Sequence, residues 1–261
     1  MLHPVLQASL IIFILVTLLW IISFIIKDVS IIDLFWGLGF VVVNFVYLLE
    51  SGDLNERKIL LLVLVSIWGL RLSIYLSWRN LGKGEDFRYL EFRRKYGPHR
   101  YWWFSYFQVF LLQGVLIMLV SLPLLGANTG EQPENLTWID YLGIVVWLIG
   151  FMFEAGGDFQ LARFKSNPQN KGKVLDRGFW KYTRHPNYFG DSAVWWSFAI
   201  FSIAAGNYWH IVGSVLMTLL IIKVSGVSLL EKSLDDKKPQ YREYIRKTSP
   251  FFPWFPKTYN P

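Results

Sequence analysis

Two carboxylates four residues apart, Glu154 and Asp158, stand in the stretch FEAGGDFQLARFK at 153–165. On a helix that spacing turns both side chains to one face, where they could accept hydrogen bonds from the hydroxyls or amides of a ligand. Gly156 and Gly157 between them leave room for the close approach of a partner helix or of the ligand itself. The plainer alternative is a pair of interfacial acids neutralised by Arg163 and Lys165. The next stretch, KSNPQNKGKVLDRGFWKYTRHPNYFGD at 165–191, gathers Lys165, Lys171, Lys173, Arg177, Lys181 and Arg184 in a loop that Pro168 and Gly172 keep from being helical. Such a loop can neutralise a phosphorylated ligand, or it can attract anionic lipid head groups. His185 is held extended by Pro186, and Asn187 is placed to cap the helix that follows, whose N-terminal amides favour an anion. Tyr188 and Asp191 complete a density of polar groups that a cap alone would not require.

Three further sets of residues belong with these. Glu231 stands at the edge of the last apolar run, and Tyr241 and Tyr244 share a face in a tail that either lies on a bilayer or folds over the site as part of its wall. Near the N-terminus, Asp33 in DLFWG, and Trp68, Arg71 and Tyr75 in WGLRLSIYLSWRN, place an acid, a guanidinium and aromatic rings within apolar runs. An acid in such surroundings can keep its proton and hydrogen-bond the carbonyl of a lipophilic substrate; an Asp33 to Arg71 structural pair is the alternative. The chain has no cysteine, and its four histidines are scattered, so thiolate chemistry is excluded and no metal site is expected. Phosphate-binding loops and hydrolase elbows of the usual patterns are absent from the sequence.

The elements that must position these residues are membrane helices. Hydrophobic residues make up 53% of the 261 and charged residues only 17%, with 13 Trp and 21 Phe, which is the composition of a membrane protein. Seven segments are apolar enough, or nearly so, to cross a bilayer core: 5–26, 31–49, 59–78, 107–125, 139–153, 192–205 and 209–230. The formal charge of +7 lies between the apolar runs rather than on a soluble basic module, so it reads as a topology signal and nucleic acid is not expected as a partner. Lys27, 79–105, 159–190 and 231–261 carry most of the Lys and Arg, whereas the opposite side has only Arg57 and Lys58, and 126–137 and 206–210 carry none. The N-terminus is therefore expected outside and the C-terminus in the cytoplasm. The first run lacks the basic flank and cleavage site of a signal peptide and reads as a retained helix. The expected fold is an all-α polytopic membrane helical bundle of about seven transmembrane helices, a single domain over 1–261.

GGDFQLARFK, NKGKVLDRGFWKYTRHPNYFGD and YREYIRKTSPFFPWFPK, in that order, carry a resemblance to a known group. Over 142–257 the chain resembles the bacterial-type membrane proteins allied to the steroid 5-alpha-reductase C-terminal domain, the family labelled DUF1295. The resemblance implies a bundle in which NADPH enters from the cytoplasm and reduces a carbon–carbon double bond conjugated to a carbonyl, with lipophilic substrate entering from the bilayer. By motif, Asp158, Glu154, Lys173, Asn187 and Asp191 fall at cofactor positions. Asp33 and Trp68 fall near the substrate-carbonyl positions, with Arg71 and Tyr75 one and two turns on. The RHPNYFG pattern is also similar to the S-adenosylmethionine site of isoprenylcysteine carboxyl methyltransferases, where Arg184, His185 and Glu231 would accompany the cofactor. The six basic residues of the loop favour NADPH, which carries several anionic oxygens. The implied protein is a reductase in a bacterial inner membrane with its site facing the cytoplasm; a lipid or isoprenoid methyltransferase and a non-catalytic lipid-binding membrane protein are the alternatives.

Overall fold

The computed structural model describes residues 3–257, apart from 53, 81, 131, 132, 134 and 226–238. All regular structure among the described residues is helical; the only extended pairing there is one isolated parallel bridge between Thr183 and Ser249. The chain forms two compact units, Met1–Leu136 with Phe201–Gly213, and Thr137–Ile200 with Ser214–Pro261.

The first unit begins with three long apolar helices, α1 (Pro4–Ile26), α2 (Ile31–Glu50) and α3 (Glu56–Asn80). Two glycines let α2 and α3 cross closely, since a Cβ on Gly37 would lie 2.4 Å from the Gly69 carbonyl oxygen and one on Gly69 would lie 2.6 Å from that of Gly37. In a bilayer, where apolar side chains gain nothing by leaving lipid, such backbone contact is what holds helices together. Two short helices follow, α4 (Phe87–Tyr96) and α5 (Pro98–Ser105). α5 then runs through a π-helical turn, Tyr106–Leu111, into α6 (Leu112–Val120), so that His99–Val120 is one continuous helical span. α7 (Leu122–Thr129) starts after a break at Ser121, where Pro123 in the first turn cannot continue the preceding helix.

The second unit is built on α8 (Trp138–Ser166), opened by a capping box in which Thr137 and Asp140 satisfy each other's backbone amides. Its 29 residues reach about 43 Å at roughly 1.5 Å per residue, against a hydrocarbon core of about 30 Å. The polar last turns therefore project beyond the apolar layer. Two 3₁₀ turns, Pro168–Asn170 and Gly178–Lys181, shape the loop to α9 (Pro186–Ala204). α10 (Val212–Leu219) continues into a π-helical turn, Leu220–Ser225. Ser214 Oγ donates to the Trp195 carbonyl at 2.6 Å, and Ser192 and Thr218 share a hydrogen bond of 2.9 Å, which pins α10 to α9. The C-terminal helix is α11 (Pro239–Lys247).

Five helical spans among the described residues are long and apolar enough to cross a membrane: Pro4–Ile26, Ile31–Glu50, Glu56–Asn80, His99–Val120 and Trp138–Ser166. Their outward apolar side chains are far from buried, Phe24 being 61% and Ile25 72% exposed, an arrangement that lipid and not water makes favourable. The chain is an integral membrane protein of helical type. The fifth span is a helix of 29 residues rather than the short segment expected at 139–153, because Glu154 to Ser166 continue it. The helix of the sixth span starts at Pro186, ahead of its apolar run at 192–205, and the described part of the seventh, Trp209–Lys223, is short. Its remainder, with Glu231, lies outside the described residues.

Candidate functional site

Glu154 and Asp158 sit one turn apart on the same face of α8, as their spacing predicts, and both are buried, at 3% and 6% exposure. The face they occupy is the one against which α9 packs. A Cβ on Gly150 would lie 2.7 Å from the Val194 nitrogen, and one on Gly190 would lie 2.3 Å from the Glu154 nitrogen, so the two backbones are nearly in contact at this level. That approach brings Asn187 to Asp158, with Asn187 Nδ2 donating to Asp158 Oδ1 at 3.1 Å. Asn187 was expected to cap α9. The helix instead starts one residue before it, at Pro186, with the first intrahelical bond running from the Phe189 amide to the His185 carbonyl at 3.0 Å. The Asn187 side chain is thereby freed to reach across to α8. Asp191, one turn on, shares its face. Asp158 already brings a negative charge to the first turn of α9, where the helix dipole favours one. A second anion there would meet that charge, so this corner suits ligand hydroxyls and amides better than phosphates.

The loop and the C-terminal tail close on each other in the same unit. Arg184 donates from its amide to the Ser249 carbonyl at 2.9 Å and from Nη1 to the Ile245 carbonyl at 3.0 Å. Thr183 Oγ1 donates to the Phe251 carbonyl at 2.8 Å, and the Trp254 amide to the Tyr182 carbonyl at 2.9 Å. The Tyr244 hydroxyl donates to the Trp180 carbonyl. Burial, followed by the charge of nearby Tyr241, pushes the Tyr244 phenol above its usual range. Tyr241 and Tyr244 are both buried with ring centroids 5.9 Å apart, so of the two expectations for the tail the structure has it folded onto the 180–184 segment. His185 is buried and stacks on Tyr188, with centroids 5.5 Å apart.

The basic residues divide between the two sides of α8. At about 100° per residue, Lys165 falls on the carboxylate side, whereas Arg163 falls opposite and lines a separate groove with Arg177. Lys165 and Lys173 are exposed, Lys173 in the loop after Gly172. Sequence reasoning missed two residues that fix this loop. Gln160 Oε1 accepts from the Phe179 amide at 3.0 Å, and Trp180 Nε1 donates to the Gly157 carbonyl at 3.1 Å.

In the first unit the four residues read as substrate-facing are all in or beside α2 and α3. Trp68 is fully buried against Phe40, with centroids 5.9 Å apart, and the Arg71 guanidinium lies 5.7 Å from the Tyr75 ring centroid. Asp33 is engaged by residues the sequence reading did not single out, Arg88 Nη2 donating to Oδ2 and the Tyr89 hydroxyl to Oδ1, both at 2.7 Å. The signal was available: Asp86 before an amphipathic run is a helix start, and α4 places Arg88 and Tyr89 in its first turn. Burial, then the Asp33 charge, pushes the Tyr89 phenol above its usual range. Among the described residues no group of His, Cys, Asp and Glu is arranged to hold a metal ion.

Comparison with known proteins decides the family. Residues 19–248 match the family described as "Protein of unknown function (DUF1295)". The chain belongs to this family. It is also 25% identical over 277 aligned residues to the uncharacterized protein C594.04c of Schizosaccharomyces pombe (strain 972 / ATCC 24843), an alignment covering 96% of this chain and 80% of that protein. No solved structure matches. The DUF1295 match takes in both units, from within α1 to the end of α11, and so includes the α8–α9 corner and the Asp33 network alike.

Proposed function

We propose that this DUF1295 protein is a membrane-embedded reductase that uses NADPH to reduce a carbon–carbon double bond conjugated to a carbonyl in a lipophilic substrate taken from the bilayer. The observation that carries the reading is the buried Glu154, Asp158 and Asn187 corner between α8 and α9, set beside a loop of exposed cations and walled by the tail. The donor set suits a dinucleotide: carboxylates accept from ribose hydroxyls and a carboxamide, and Lys165 and Lys173 supply charge for the phosphates. Bound NADPH would supply the hydride. Asp158 and Glu154 would orient it, and His185, Tyr188, Asp191, Tyr241 and Tyr244 would shape the walls. By the resemblance, the substrate carbonyl is assigned to Asp33, with Arg71 and Tyr75. Arg88, held there by Asp33 and Asp86 through two of its five N–H donors, keeps others to polarise an oxygen. The charge asymmetry of the loops supports a cofactor site on the cytoplasmic side.

The same two buried carboxylates would also favour the sulfonium cation of S-adenosylmethionine, which keeps a methyltransferase as the second reading. Titration of the detergent-purified protein with each cofactor, followed by thermal stability, separates the two, because a ligand that binds only the native state raises its melting temperature. NADPH is expected to stabilise, Asp158→Ala and Lys173→Ala to reduce that effect, and Asp33→Asn to slow turnover with cofactor affinity retained. Stabilisation by S-adenosylmethionine alone would overturn the reductase, and indifference to both would favour a non-catalytic lipid-binding protein.

A further inference from the structure

The second unit carries a groove on the side of α8 opposite Glu154 and Asp158. Gly156, Leu175 and Phe179 line it together with Gln160, Arg163 and Arg177, and the open groove has a volume of ≈ 890 Å³, within the range of small-molecule sites. Its shape is specified by small residues. A Cβ on Gly156 would lie 2.4 Å from Phe179 Cε2, and Gly178, at φ +63°, has the Gln160 amide packed where its own Cβ would be, 2.5 Å away. Asn170 donates to the Phe164 carbonyl at 2.9 Å and folds the loop back over the last turns of the helix.

The charge of this groove is one-sided. Two guanidiniums line it and, among its described lining residues, no carboxylate does. Gln160 spends its oxygen on the Phe179 amide, leaving its Nε2 as a donor. Beside these donors Phe159 also lines the groove and is 64% exposed. Fork-shaped donors above an apolar floor fit a phosphate oxyanion attached to something less polar. The C-terminal end of α8 itself disfavours an anion, so the two arginines must carry the binding.

We propose that the Arg163–Arg177 groove is a phosphate-binding site, separate from the α8–α9 corner and independent of the cofactor reading. Its ligand is a phosphate ester, supplied either by the head group of an anionic lipid or by a soluble phosphate. The test uses the full chain in neutral detergent. Thermal stability is followed against dioctanoyl phosphatidylglycerol, dioctanoylglycerol, which has the tails without the phosphate, and inorganic pyrophosphate. Phosphatidylglycerol is expected to stabilise where dioctanoylglycerol does not. Arg163→Gln and Arg177→Gln should each weaken that binding about tenfold, Arg163→Lys should restore part of it, and Asp158→Ala should leave it intact. Pyrophosphate binding as tightly as phosphatidylglycerol identifies a soluble ligand; binding of phosphatidylglycerol alone identifies a lipid. Equal effects of phosphatidylglycerol and dioctanoylglycerol, or unchanged affinity in both glutamine variants, would overturn the site. Both arginines are exposed, so circular dichroism of the variants should match that of the parent.

Discussion

At the residue scale, the hydrogen bond from Asn187 to Asp158 decides how the corner between α8 and α9 works. It holds one carboxylate oxygen of a buried acid on α8 and ties the first turn of α9 to it. Asn187→Ala removes a donor to a buried charged acceptor and should cost about 1–3 kcal/mol of stability, read as a lowered detergent melting temperature. Asn187→Asp, which sets a second carboxylate against Asp158, should cost more at pH 7 and recover in acid. The carboxylate pair was legible in the sequence, because helix spacing is local, whereas Asn187, expected as a cap, reaches Asp158 only through the packing of α9 on α8. The partner of Arg163 was not legible: helix geometry turns its side chain roughly 140° from Asp158, but that it shares a groove with Arg177 depends on the fold of the loop after α8.

At the element scale, α4 is clasped to the turn between α1 and α2. Glu85 accepts from both Arg93 Nε and Nη2, at 2.9 and 2.8 Å, and from the Val29 amide at 2.9 Å. Asp86 caps α4 through the Arg88 amide at 3.0 Å and pairs with the Arg88 side chain at 2.9 Å. Burial alone would raise the Asp86 carboxyl, but the hydrogen bonds from Arg88 outweigh it and hold the group below the usual carboxylate range. A depressed carboxylate contributes stability that is present above its unfolded value, near pH 4, and is lost as pH falls through the lower folded value. Asp86→Asn should therefore lower the melting temperature at pH 7, and the gap to the parent should close as the pH is taken below about 4. The apolar runs predicted α1, α2 and α3 well because periodicity and length are properties of the segment. The start of α9 was nearly legible, since Asn187 read as its cap and the helix begins at Pro186; its polar first turns, ahead of the apolar run, are supported by packing against Gly150 and Gly157.

At the scale of the whole molecule, five membrane-length helices among the described residues and a lopsided distribution of Lys and Arg make one topological expectation. The chain's lack of cysteine makes it directly measurable. Lys171→Cys should react with an impermeant maleimide only from the cytoplasmic side, and Asn135→Cys only from the opposite side; the reverse pattern would invert the proposed placement of the cofactor site. Composition and hydropathy by themselves determined that the protein is an all-α membrane protein, and motif order determined its family. Those properties sum over short stretches and need no partner. Only the tertiary structure decided that Asn187 meets Asp158, that Arg88 and Tyr89 hold Asp33, and that Arg163 and Arg177 share a groove. Each of those depends on which helix faces which, and that is set by glycine contacts and hydrogen bonds between residues far apart in the chain.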